Sequence, residues 1–136
     1  MVSISSQEPQ ASRPSVLIVD DERPYLEMLR AGLNKEFEIQ LAVDTADAES
    51  RMNLRDYDVI VCDHLMPGET VLDFLVRVSE LYPKTRRILM TGYINPELLS
   101  RSVVVAKLSR CMLKPTGVTE LSQVLREVMA KPPPGA

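Results

Sequence analysis

Val16-Leu-Ile-Val19 running into Asp20-Asp21 is an unbroken apolar run closed by two carboxylates, and that junction decides how the chain is read. Apolar residues in succession, without alternation, suit a strand buried on both faces, as in a parallel sheet covered by helices. The same junction recurs downstream. Val59-Ile-Val-Cys62 runs into Asp63, Ile88-Leu-Met90 into Thr91, and Met112-Leu113 into Lys114-Pro115. If these runs are parallel strands, their polar ends share one sheet edge, the edge where open α/β sheets bind ligands. Asp20, Asp21, Asp63, Thr91 and Lys114 then meet in one crevice. Carboxylates that close repel by ~4 kcal/mol per pair at about 4 Å and an effective dielectric of ~20, so they call for a cation. A hard divalent ion such as Mg²⁺ prefers oxygen ligands of this kind.

Outward from these junctions, strand-like and helix-like stretches alternate, the pattern of an α/β domain with a parallel sheet. Strands are expected at Val16–Asp20, Phe37–Val43, Asp58–Asp63, Arg86–Thr91 and Arg110–Leu113. Between and after them the apolar period lengthens to that of a helix. Leu26, Leu29 and Leu33 mark the first helix. Phe74, Leu75, Val78 and Leu81 mark the third, and Leu121, Val124, Leu125 and Val128 the fifth. The second, over Thr45–Leu54, has only the thin stripe of Ala48 and Met52. Pro24 suits a first helical turn, and Asn95-Pro96 reads as a cap and first residue for the fourth helix. That helix carries Leu98, Leu99, Val103, Val104, Val105, Ala106 and Leu108, too much apolar surface for one face. It either sinks into the core or offers apolar surface to a partner.

The 136 residues are enough for one domain with a sizeable core. Residues 1–14 are polar and aperiodic and read as an arm; residues 15–130 form the domain. Residues 131–136, Lys-Pro-Pro-Pro-Gly-Ala, cannot continue a helix and read as a stiff tail or linker remnant. A net charge of −3 gives no polyanion-binding signature, so nucleic acid is not an expected direct partner. The densest basic cluster, Arg86-Arg87, reads as a solvated pair at the start of a strand. Cys62 and Cys111 fall inside strands without metal-ligand spacing and read as buried free thiols. No apolar run approaches the ~20 residues of a membrane span, and a cytoplasmic setting is expected.

With Asp20-Asp21, Asp63, Met66-Pro67-Gly68, Thr91-Gly92 and Lys114-Pro115 in order at strand ends, the chain resembles the receiver domain of bacterial two-component response regulators from about Ser15 to Ala130. The resemblance implies a (βα)5 doubly wound, flavodoxin-like sandwich with a five-stranded parallel sheet of order 2-1-3-4-5. It implies that Asp63 accepts a phosphoryl group from a histidine kinase or phosphotransfer protein. It further implies Mg²⁺ held by Asp21, Asp63 and the Leu65 carbonyl, with Asp20 on a metal-bound water. Thr91, Lys114 and the amides of His64 and Gly92 would face the phosphoryl oxygens, and the Lys114-Pro115 bond would be cis. The fourth helix, fifth strand and fifth helix would form the surface for a downstream target or a self-dimer. Such a domain is a switch and not a turnover enzyme, acting alone by contact or at the amino end of a larger regulator.

The residues also carry blander roles. Asp20-Asp21 suit a helix cap, Thr91 a turn, Lys114 a solvated charge and His64 a rim position. Two positions depart from the family pattern. Cys111 stands where many receivers place a switching aromatic ring, and Tyr93 sits where the family tunes dephosphorylation, able either to shield the acyl phosphate or to pack on the rim. A phosphorylation-independent interaction or dimerisation module with the same fold is therefore the alternative. An aspartyl-phosphate phosphatase is disfavoured because Asp63 is followed by His64-Leu65 and not by a second aspartate two residues on. A flavin site is disfavoured because no Ser/Thr/Gly-rich loop follows the first strand.

Overall fold

In a computed structural model, which describes residues 13–63, 70–92 and 96–135 (the Leu98 and Leu99 side chains excepted), the apolar runs become β1 (Ser15–Val19), β2 (Glu38–Ala42), β3 (Val59–Asp63), β4 (Arg86–Thr91) and β5 (Arg110–Leu113). All pairs are parallel and the order is β2-β1-β3-β4-β5, the flavodoxin-like topology expected. β1 and β3 are buried at every position, as their unbroken apolar runs require. Pro14, placed in the amino-terminal arm by its composition, already accepts from the Glu38 amide at 2.8 Å. Met66-Pro67-Gly68, His64, Leu65, Tyr93 and Asn95 lie outside the described residues.

Five helices cover the sheet: α1 (Arg23–Leu33), α2 (Thr45–Leu54), α3 (Val71–Leu81), α4 (Pro96–Ala106) and α5 (Val118–Met129). Strand alternation divides the core in two. Val16, Ile18, Val59, Val61, Ile88, Met90 and Met112 meet Leu26, Leu29 and Leu33 of α1 and Leu121, Leu125 and Val128 of α5. Leu17, Val19, Ile60, Cys62 and Leu89 face Ala48 and Met52 of α2, Phe74, Leu75 and Val78 of α3, and Ala106 at the end of α4. The thin stripe of α2 is thus a buried one, and the helix starts at Asp44, whose side chain accepts from the Asp47 amide at 2.7 Å. On the first face α1 and α5 touch at Gly32, where an added Cβ would lie 2.5 Å from a Val118 methyl. Only glycine lets the two helices come that close.

Three expectations need correction, and the choice left open for α4 is decided. Leu81 is 59% exposed, because as the final residue of α3 it has run past the apolar face of Phe74, Leu75 and Val78. Cys62 is buried, but Cys111 on the edge strand β5 is only partly so. The excess apolar surface of α4 points outward: Ser102 and Ala106 are buried while Val103, Val104 and Val105 are exposed, Val104 the most at 73%. Finally, Arg86-Arg87 is not a solvated pair. The Arg87 side chain is fully buried, its guanidinium occupied by main-chain carbonyls.

Candidate functional site

The strand register gathers the polar residues. Val19 pairs with Cys62, Asp63 with Met90, and Thr91 with Leu113, so the residues ending or following these strands lie level along one edge. The last rung is closed by the Lys114 amide, 2.8 Å from the Thr91 carbonyl. Continuing the alternation puts Asp20, Asp63 and Lys114 in phase with Ile18, Val61 and Met112, on the side that α1 covers. Thr91 has the opposite phase; it is buried, and Gly92 beyond it is exposed.

Lys114 is the hub. Its ammonium lies 2.8 Å from Asp20 Oδ2, 2.9 Å from Glu22 Oε1 and 3.3 Å from Asp63 Oδ2, with the side chain 16% exposed. It also stands 5.1 Å from the ring centre of Tyr25. Burial works against the charge, but the carboxylates of Asp20 and Glu22, with Asp63, outweigh it and hold Lys114 well above the usual lysine range. The Tyr25 hydroxyl in turn donates to the Thr116 carbonyl at 2.9 Å and accepts from the Thr116 amide at 3.1 Å. These bonds pin the chain just after the Lys114-Pro115 peptide, which is cis, as the resemblance implied; Pro115 itself is exposed.

Asp20 is wholly buried. Its Oδ1 accepts from the Glu22 amide at 2.9 Å, a local turn bond and not the helix cap of the blander reading, since Glu22 itself is the N-cap of α1 and that cap has no side-chain bond. Oδ2 has the Lys114 ammonium 2.8 Å away, and no donor among the described residues completes a hydrogen bond to it. A buried carboxylate oxygen left so is costly and suits a cation. Asp21 is exposed and Asp63 buried, and one oxygen from each of Asp20, Asp21 and Asp63 falls within 4.8 Å of the others. Three carboxylates, Asp20, Glu22 and Asp63, crowd one ammonium, and Asp21 adds a fourth acid to the cluster. The all-oxygen donor set, one member buried and short of a donor, fits a hard divalent ion. Beneath it, burial first, then the charges of Asp63 and Asp20, push the Cys62 thiol far up, so it stays neutral and inert.

Of the residues singled out in the sequence, Asp20, Asp21, Asp63 and Lys114 converge here, with Thr91 and Gly92 ending the neighbouring strand. The His64 amide, the Leu65 carbonyl and Tyr93 fall outside the described residues, and Cys111 sits back on β5, away from the crevice mouth, packed toward the α4 side of the core. Glu22 and Tyr25 were not anticipated. A third acid directly after Asp20-Asp21 was the visible signal for Glu22; Tyr25 had none.

Comparison with known proteins bears on the family and the fold. Residues 16–126 match the family model described as response regulator receiver domain. The hydrogenase transcriptional regulatory protein HoxA of Cupriavidus necator is 36% identical over 116 residues, which cover 85% of this chain and 24% of HoxA; the chain thus spans about a quarter of that relative's length. Among solved structures, the signal receiver domain of an HD domain-containing protein from Pseudomonas fluorescens Pf-5 aligns at a TM-score of 0.80 with 27% identity, over 87% of this chain and 95% of the other. The chemotaxis protein CheY4 of Vibrio cholerae aligns at 0.80 with 25% identity, over 86% and 99%. No helix among the described residues is long and apolar enough to cross a membrane.

Proposed function

The chain belongs to the response regulator receiver domain family, a signalling fold of two-component systems, and from that membership we propose that it is a phosphorylation-dependent switch with Asp63 as phosphoacceptor. The observation that carries this reading is the buried Asp63 carboxylate, 3.3 Å from the Lys114 ammonium and grouped with Asp20 and Asp21. In the proposed step an Asp63 oxygen forms a bond to phosphorus as the P–N bond of a phosphohistidine breaks. The electron pair leaves with the imidazole nitrogen, which takes up a proton from solvent. The product is an acyl phosphate, the covalent form open to a carboxylate nucleophile.

Most of the work in such a transfer is positioning and charge neutralisation. Lys114, fixed by Tyr25 and by its carboxylates, brings its ammonium to the transferred oxygens. The Thr91 hydroxyl and the His64 and Gly92 amides are the further donors in this reading. Asp20, Asp21, Asp63 and the Leu65 carbonyl would hold Mg²⁺, which when bound supplies positive charge against the phosphoryl oxygens. The donor is a histidine kinase or phosphotransfer protein, and the output is altered contact with a protein target or a second copy through α4, β5 and α5. A net charge of −3 supports protein rather than nucleic acid as the direct partner.

A second reading, an interaction module indifferent to phosphorylation, is favoured by the exposed Val103, Val104, Val105 and Leu113 on that surface. Intact mass after incubation with Mg²⁺ and acetyl phosphate separates the two. Gain of one phosphoryl mass by the wild type and none by Asp63→Asn is the expected result. No gain with several donors, with Mg²⁺ binding shown separately, would leave the second reading standing.

A further inference from the structure

Arg87 opens the interior of β4 at the sheet edge opposite the acidic crevice, and its surroundings are unusual for a buried cation. Among the described residues its hydrogen-bond partners are all main-chain carbonyls and none is a carboxylate. Nε donates to the carbonyls of Ala106 at 3.1 Å and Lys107 at 3.2 Å, Nη1 to Thr85 and, at 3.5 Å, Pro83, and Nη2 to Lys107 at 3.1 Å and Pro134 at 3.0 Å. The carbonyls of Ala106 and Lys107 end α4, where the helix leaves acceptors unpaired and the dipole is negative, so the guanidinium caps that helix from inside the fold. Lys107 then turns into the left-handed region at φ 52° and the chain passes to β5.

The third partner group is the carboxy-terminal segment. Lys131 gives its carbonyl to Arg86 Nε at 2.9 Å and Nη2 at 2.5 Å, and three residues on Pro134 gives its own to Arg87. Gly135, at φ 77°, lies against the Lys107 side chain so closely that an added Cβ would fall 2.5 Å from Lys107 Cδ. The segment that its composition marked as a stiff tail is thus seated along the corner made by the end of α4 and the starts of β4 and β5. Nη2 carries two hydrogens. One serves α4 through Lys107 and the other serves Pro134, so the helix end and the tail meet on a single nitrogen.

We propose that this corner is an intramolecular docking site for residues 131–135, and that Arg87 couples the seating of that segment to the position of the end of α4. A buried guanidinium cannot release one acceptor without finding another or admitting water. Displacing the end of α4 therefore loosens the segment, and removing the segment loosens the helix end. The coupling rests on β4, α4 and the tail alone and does not depend on phosphoryl transfer.

Backbone NMR on the full chain tests this. In the wild type the Gly135 amide has an order parameter near the ~0.85 of rigid backbone, and Arg87→Lys, which keeps the charge but loses the planar fork, drops it below about 0.6. A second variant ends the chain after Lys131, leaving Arg87 intact. There, amide exchange at Val105, Ala106 and Leu108 rises about tenfold, the ratio that loss of one charge-assisted bond supports, while exchange in β1 and β3 is unchanged. A mobile Gly135 in the wild type, or unchanged exchange at the end of α4 in the shortened chain, would overturn the proposal. The shortened chain keeps the test decisive if Arg87→Lys fails to fold.

Discussion

Lys114 and Arg87 are enclosed cations at opposite ends of one sheet, and their partners differ in kind. Lys114 is a compact point charge shared among Asp20, Glu22 and Asp63. Arg87 is a planar fork spread over carbonyls from three separate stretches of chain. Carboxylates can exchange an ammonium for a metal ion or surrender it to a phosphoryl group, so the bonds at the first end can be redistributed. Carbonyls are fixed by the backbone that carries them, and bonds at the second end change only if the backbone moves. The difference separates a place where charge is handled from a place where shape is held.

The comparison is broken most severely by removing either cation. Arg87→Met, similar in bulk but with nothing to donate, should cost about 3 kcal/mol in urea denaturation, because several buried carbonyls lose their donor, and Mg²⁺ should not restore it. Lys114→Met should cost about 2 kcal/mol in chelator, the price of leaving buried Asp20 without its counter-charge, and millimolar Mg²⁺ should return most of the loss. If Mg²⁺ rescues both variants or neither, the two ends are not different in the way argued.

Smaller changes sharpen the contrast. Glu22, 64% exposed, competes with Asp63 for Lys114. Glu22→Gln should speed phosphoryl gain from acetyl phosphate severalfold with little change in stability, as befits an exposed pair worth under ~1 kcal/mol. A rate equal to wild type would mean that Glu22 does not restrain Lys114. The smallest effect is at Cys111, on the strand that leads into Lys114. Burial pushes its thiol up to about 11. The reactive thiolate is therefore scarce at neutral pH, and the iodoacetamide rate, followed by mass, should climb roughly tenfold per pH unit and level off only near that value. A plateau near the ordinary thiol value would show that β5 opens far more readily than its packing indicates.

The sheet and the core of the acidic crevice were legible because both are written locally. An unbroken apolar run followed by a carboxylate is a strand and its end at once, and parallel pairing then leaves little freedom in where Asp20, Asp63 and Lys114 go. What could not be read depends on partners remote in sequence. Nothing near Arg87 reveals that Ala106, Lys107 and Pro134 turn carbonyls toward it, so an Arg-Arg pair looks solvated by default. Tyr25 supports the site through Thr116, 91 residues away. Composition showed that α4 carried more apolar surface than one face needs. It could not say which side the surplus took, and the structure turns Val103, Val104 and Val105 outward.

The strand order carries a kinetic consequence. β1 joins β2 across a short span, with Val19 opposite Ala42, and β3, β4 and β5 likewise join near neighbours, Cys62 opposite Leu89 and Leu89 opposite Cys111. Only the seam between β1 and β3, Val19 opposite Cys62, spans 43 residues. Closing the longer loop costs more chain entropy and distant pairings slow folding, so this seam is the natural last join between two halves built from closer contacts. Asp20 and Asp63 stand on its two sides. Competence to bind a divalent ion should therefore arrive with the final docking step, and the time course of ion binding during refolding would track completion of the fold and not the earlier gain of helix.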